Sequence, residues 1–173
     1  MKSQGKKFEE DFQNSATCMN LDRLKDPPQS FNHEYGGCPK QKVRFSPRNL
    51  CDFIGYSYPN QYYFELKSHK NKSFPVSTIV KNDNDKRLAE MVGKECHKGV
   101  YSFVIFNFRD LDNATYAVRA KAVKTYIESL VRKSIPFDWV VGNGVEIKST
   151  LKRVRYSYDI EGFLKQGGKQ WKQ

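Results

Sequence analysis

Residues 51–70 read CDFIGYSYPNQYYFELKSHK, two strand-like runs, Asp52 to Tyr58 and Gln61 to Lys67, on either side of Pro59-Asn60. Aromatic and branched side chains suit a pleated surface, and the Pro-Asn pair between the runs reads as a hairpin turn. Side chains alternate faces along a strand, so Glu65 and Lys67 share one face while Phe64 and Leu66 share the other. Closing the hairpin about Pro59-Asn60 sets Tyr58 opposite Gln61, Ile54 opposite Glu65 and Asp52 opposite Lys67. Cross-strand partners share a face, so Asp52 joins Glu65 and Lys67 on one patch, with Phe53, Phe64 and Leu66 on the core side.

Two carboxylates and an ammonium on one patch are costly for a fold but useful on a phosphodiester. The carboxylates can hold Mg²⁺, which takes oxygen ligands and keeps several waters, one of which can be the nucleophile. Lys67 can orient or help deprotonate that water and stabilise charge developing on the pentacovalent phosphate. The competing reading, a weak solvent-facing ion pair on an edge hairpin, stays open at this point, because D-x₁₂-E-x-K occurs in many unrelated chains.

The rest of the chain raises the weight of the chemical reading. Its 173 residues suit one domain with a real core, and 38% hydrophobic residues exclude wholesale disorder. Thirty Lys and Arg against 19 Asp and Glu leave a net charge of +11, which a polyanionic partner rewards and a fold does not require. Nucleic acid is the expected partner. No apolar run approaches the roughly 18 residues of a spanning helix, and MKSQGKKFEEDF at the start has no signal-peptide apolar core, so a cytoplasmic location is expected. Cys18, Cys38, Cys51 and Cys96 contain no CxxC pair and are expected as free thiols. A zinc site from Cys38, Cys51, Cys96 and one of His33, His69 or His97 is formally open, but ligands scattered in this way are usually coincidence.

Periodicity places an opening helix over 6–16, with Phe8 and Phe12 on one face. Residues 24–50 hold four of the seven prolines and read as a long loop, with Lys25 near its start and Lys40, Lys42, Arg44 and Arg48 toward its end. A second helix is expected over 82–97, with Leu88, Met91 and Val92 inward. VYSFVIFNF, 100–108, is nearly continuous apolar and reads as a central strand buried on both faces. ATYAVRA follows as a neighbouring strand and KAVKTYIESLVRK as an amphipathic helix with Val123, Tyr126, Ile127, Leu130 and Val131 inward. WVVGNGVEIK, with its Gly-Asn-Gly, suggests a short hairpin, LKRVRYSYD one alternating basic and aromatic strand, and IEGFLK a final helical turn. The expectation is one α/β domain about a mixed sheet, residues 1–165, with a basic C-terminal tail over 166–173.

GKKFEEDF (5–12), CDF (51–53), FELKSHKNKSFP (64–75), GVYSFVIFNFR (99–109), KSIP (133–136) and RVRYSYD (153–159) together resemble the PD-(D/E)xK nuclease superfamily. More closely, they resemble the RecU-type Holliday junction resolvases, also known as penicillin-binding protein-related factor A, with their phage-borne members. The resemblance implies a restriction-endonuclease-like mixed central β-sheet flanked by helices. It also implies a homodimeric, Mg²⁺-dependent endonuclease, with Mn²⁺ as an alternative ion, that binds four-way DNA junctions and nicks two strands of like polarity. A recombinase or a branch-migration protein is the partner such an enzyme implies. Asp52 and Glu65 match the metal-binding acidic pair, Lys67 the catalytic lysine, Glu9 an acidic residue on the first helix near the metal, and Asn84 a polar residue on the helix after the ELKS strand. Glu10 and Asp11 read instead as helix-dipole partners.

Three features depart from the family's pattern. Cys51 stands where Thr or Pro is common, the region where the family carries a junction-entering stalk is here the long Pro- and Gly-rich loop 27–49, read as a reduced stalk, and GNGVEIK has no counterpart. Candidate phosphate contacts are Arg23, Lys25, Lys42, Arg44 and Arg48 about the loop, Lys70 and Lys72 after the catalytic strand, and Lys152, Arg153 and Arg155 near the end. Two alternatives remain beside the resolvase: a related nuclease cutting linear duplex, and a DNA-binding accessory protein that has lost its chemistry.

Overall fold

The computed structural model describes residues 3–24, 49–80, 86–129 and 133–170. Lys25, Lys42, Arg44, Arg48, Asn84, Leu130 and Val131, and most of the segment 27–49, lie outside the described residues.

Helix α1 (Gln4–Ser15) is capped by Ser3, whose hydroxyl accepts from the Lys6 amide at 3.3 Å and satisfies one of the orphan donors of the first turn. Phe8 and Phe12, a turn apart, are both buried. The helix starts early enough that no acid lies in its first turn. Glu10 and Asp11 therefore do not act as dipole partners; they hold Arg155 on a distant strand.

The strands β1 (Asn20–Arg23), β2 (Phe53–Ser57), β3 (Asn60–His69), β5 (Val100–Phe108), β6 (Ala114–Arg119) and β8 (Gly144–Glu146) form one mixed sheet in the order β1-β2-β3-β5-β6-β8. Only the β3–β5 pair is parallel, in register from Gln61↔Val100 to His69↔Phe108; the other pairs are antiparallel. Such a pair needs a crossover, supplied by β4 (Ser73–Pro75), a 3₁₀ turn (Val76–Thr78) and α2 (Arg87–Lys94). β5 is buried from Ser102 to Phe108, as its nearly continuous apolar run requires.

Two cores cover the sheet. On one face α1 and α5 (Ile160–Gln170) bury Phe12, Phe53, Phe64, Phe103, Ile105 and Phe163. On the other face α2, α3 (Ala120–Glu128) and α4 (Phe137–Asn143) bury Met91, Val104, Phe106, Val123 and Val140, with β4 paired to β7 (Ser134–Pro136). This mixed sheet flanked by helices is the restriction-endonuclease-like architecture that the resemblance implied.

Three local expectations are corrected. WVVGNGVEIK is no hairpin: Phe137–Asn143 is helical, with Val140 fully buried, and β8 starts at once. Gly144 permits this abrupt junction, because a Cβ there would lie 2.7 Å from the Val140 carbonyl oxygen. LKRVRYSYD is not one strand but parts of two, β9 (Ser149–Lys152) and β10 (Arg155–Tyr158), an antiparallel pair turning at Arg153-Val154. IEGFLK opens a helix of 11 residues rather than a single turn, and its backbone continues to Gln170 in the stretch read as a tail. Asp159 starts that helix by accepting from the Gly162 amide at 2.8 Å.

Candidate active site

The β2–β3 hairpin closes about Tyr58-Pro59, not Pro59-Asn60: Ser57 faces Asn60, and Phe53 faces Phe64. The pairing ends at Phe53 and Phe64, so Asp52 lies just before β2 and is not the strand partner of Lys67. Glu65 and Lys67 share a face of β3, and the charges of both act on the Asp52 carboxyl, so the three groups still gather at one place. Asp52 is fixed between strands by its backbone: its amide donates to the Phe64 carbonyl at 3.1 Å, and its carbonyl accepts from the Leu24 amide at 2.9 Å. Its Oδ2 accepts from the Leu66 amide at 2.7 Å.

Glu65 is 5% exposed. Its Oε1 accepts from Lys67 Nζ at 2.6 Å and lies 3.5 Å from Arg87 Nη1, while Oε2 is buried with no hydrogen-bond partner. An orphaned carboxylate oxygen in the interior is expensive. The cost also registers on its neighbour. Burial first, then the Glu65 charge, push the Asp52 carboxyl up to about 7, against the opposing pull of the Leu66 amide and Lys67. Two carboxylates in this state offer the oxygen-rich, negatively charged setting that a hard divalent cation takes. Among the described residues no three His, Cys, Asp or Glu side chains converge as a ligand set. An ion held by Asp52 and Glu65 would complete its shell with water and phosphate oxygens, as Mg²⁺ does readily.

Glu9 comes to the same place: it pairs with Arg23 on β1, and its charge adds to the upward push on Asp52. Arg23, expected as a phosphate contact, is thus engaged beside the acidic pair. Arg87 was not anticipated. It is the first residue of α2 and brings its guanidinium to Glu65, while Asn84, the polar residue expected on this helix, lies outside the described residues.

Cys51 is buried, and its thiol donates to the Phe53 carbonyl at 3.1 Å. Burial, then Glu65 and Asp52, push the thiol up to about 12, so it stays protonated and acts as a weak donor where a hydroxyl would be a stronger one. Beside Lys67, the Ser68 hydroxyl donates to Asn107 Oδ1 at 2.8 Å. Asn107 Nδ2 donates to Asn113 Oδ1 at 2.7 Å, and Asn113 Nδ2 to the Tyr158 hydroxyl at 3.0 Å. This chain of hydrogen bonds ties β3 to the β9–β10 hairpin.

The remaining described candidates divide in two. Lys70, Lys72, Lys152 and Arg153 are exposed, the first pair just past β3 and the second at the β9–β10 end. Arg155 is instead committed to Asp11 at 3.0 Å and Glu10 at 3.2 Å. A groove of about 930 Å³ lined by Glu95, Arg119, Tyr126 and Trp139 contains none of the catalytic candidates, so the acidic pair is not sunk in that cavity.

The family model of Recombination protein U, RecU, matches residues 4–160, from the first residue of α1 to the first of α5. The chain belongs to the RecU family of Holliday junction resolvases. The SPbeta prophage-derived uncharacterized protein YotM of Bacillus subtilis strain 168 is 30% identical over 171 residues, covering 90% of this chain and 82% of that protein. This RecU-family chain thus has a prophage-borne relative, in keeping with the phage-like membership expected from its motifs. Among the described residues no helix is long and apolar enough to cross a membrane.

Proposed function

We propose that this chain is a Mg²⁺-dependent, structure-selective DNA endonuclease that acts as a homodimer on four-way junctions and nicks two strands of like polarity. The observation that carries the proposal is the partnerless buried Glu65 Oε2 beside a half-buried Asp52 whose carboxyl is pushed up to about 7. A fold keeps such a pair when something else completes it. Asp52 and Glu65 are the residues that would hold the ion, which when bound supplies charge neutralisation and an activated water.

The chain's own groups do the rest. Lys67, 2.6 Å from Glu65 Oε1 on the same face, carries an ammonium that can turn to the phosphate and offset charge as it develops there. Glu9, from α1, adds a third carboxylate near Asp52. Exposed Lys70 and Lys72 follow the catalytic strand directly and suit phosphate contacts, which position a duplex without reading its sequence. Paired nicks at symmetric strands need two such sites, and each chain contributes one acidic pair, so a twofold dimer is the economical assembly.

The test is incubation with mobile four-way junctions and with matched linear duplex, in Mg²⁺, in Mn²⁺ and in EDTA. Symmetric nicking of the junction only with metal, and its abolition by Asp52→Asn, is the expected outcome. Equal cutting of linear duplex would replace this reading with that of a general nuclease; junction binding without any cleavage would replace it with that of an accessory protein.

A further inference from the structure

The turn between β9 and β10 is built against its own backbone preference. It joins the paired residues Lys152 and Arg155 through two residues, Arg153-Val154, with Arg153 at φ 53°. Gly, Asn or Asp are the residues that two-residue turns with positive φ select, and neither position carries one. Two large side chains are displayed there instead. Leu151 to Arg155 are exposed in one unbroken run; Val154 is 87% exposed and Leu151 57%. Between Ile147 and Tyr158 the chain carries Lys148, Lys152, Arg153 and Arg155 and no acid.

The display is braced. Arg155 is gripped by Glu10 and Asp11, the Tyr156 amide donates to Asp11 at 3.2 Å, and the Tyr158 amide donates to Ser15 Oγ at 3.0 Å. From Tyr158 to Tyr156 the hairpin climbs one turn of α1 toward its N-terminal end, which carries exposed Lys6. The same turn of α1 presents Glu9 toward Asp52. One helical turn therefore holds the acidic site on one flank and the hairpin on the other.

We propose that Arg153-Val154 is a wedge that enters the branch point of junction DNA, Arg153 on a phosphate and Val154 against an unstacked base pair. This rests on the junction-resolving reading above. The charge selects a polyanion, and an apolar side chain set between cations needs an apolar surface within that polyanion; the face or edge of a base at a loosened step is such a surface. A branch point offers loosened steps at less cost than continuous duplex.

The test is the double variant Arg153→Gly/Val154→Asn, whose Gly-Asn turn suits a backbone with positive φ at the first position only, so its melting temperature should equal or exceed that of the parent protein. Binding is measured in EDTA to a four-way junction with 2-aminopurine at the branch point and to matched linear duplex. The parent protein should prefer the junction and raise the 2-aminopurine fluorescence. The variant should lose roughly tenfold in junction affinity and most of the fluorescence rise, with a smaller loss on linear duplex. Val154→Gly alone should lose the fluorescence rise with the salt dependence of binding unchanged. A double variant with undiminished junction preference and fluorescence overturns the wedge and leaves the resolvase reading intact. A parent protein with no junction preference overturns both.

Discussion

Replacing Asp52 by Asn removes a charge that folding places beside a second buried carboxylate, and the consequence for stability can be worked through. The Asp52 carboxyl is pushed from its ordinary 3.8 to about 7 by burial and by Glu65. Its folded-state value lies above its unfolded value, so between about pH 4 and 7 unfolding releases a proton, and stability falls as pH rises through that window. A difference of about three pH units at about 1.4 kcal/mol each sets a ceiling near 4 kcal/mol above pH 7. Asn retains an oxygen for the Leu66 amide and gains a donor that can reach toward Glu65 Oε2. The variant should be more stable than the parent by about 2 to 4 kcal/mol at pH 8, roughly 5 to 12 °C in melting temperature for a chain of this size. The assay is thermal unfolding by circular dichroism in EDTA at about pH 5 and about pH 8. The parent should melt lower at the higher pH, the variant nearly equally at both, and added Mg²⁺ should raise only the parent. A parent that melts equally at both values, or a variant less stable than the parent at pH 8, would refute the reasoning.

Other substitutions probe other parts. Lys67→Met should lower cleavage by about 10²- to 10³-fold in single-turnover assays while junction binding in EDTA persists. Asp11→Ala strands the Tyr156 amide and leaves Arg155 with Glu10 alone, and should cost about 2 to 3 kcal/mol in urea unfolding. Asn107→Leu removes a shared partner from Ser68, Asn113 and Thr115 and should cost about 2 to 4 kcal/mol in the same measurement.

Where sequence reading succeeded, the governing physics was local. β5 was legible because seven apolar and aromatic residues among nine suit a buried strand best, and α1 because Phe8 and Phe12 repeat at a helical period. It failed where tertiary contacts overrode local signals. Gly142-Asn143-Gly144 is turn chemistry on paper, yet burial of Val140 on the sheet keeps the preceding residues helical and uses only the last glycine for a close approach. Glu10 and Asp11 looked like dipole partners because their true partner, Arg155, lies 144 residues from Asp11 in the chain.

The acidic site divides along the same line. Sequence alone determined that Glu65 and Lys67 share a face, since the period of a strand is two; Asp52 was placed with them through an assumed hairpin register that the structure does not show. Only the tertiary structure decided that Asp52 stands within reach of the Glu65 charge, that Arg87 and Glu9 join them, and that Glu65 Oε2 is left without a partner. Parity is a property of one strand, whereas the distance between charges and their loss of solvent depend on how separate elements pack.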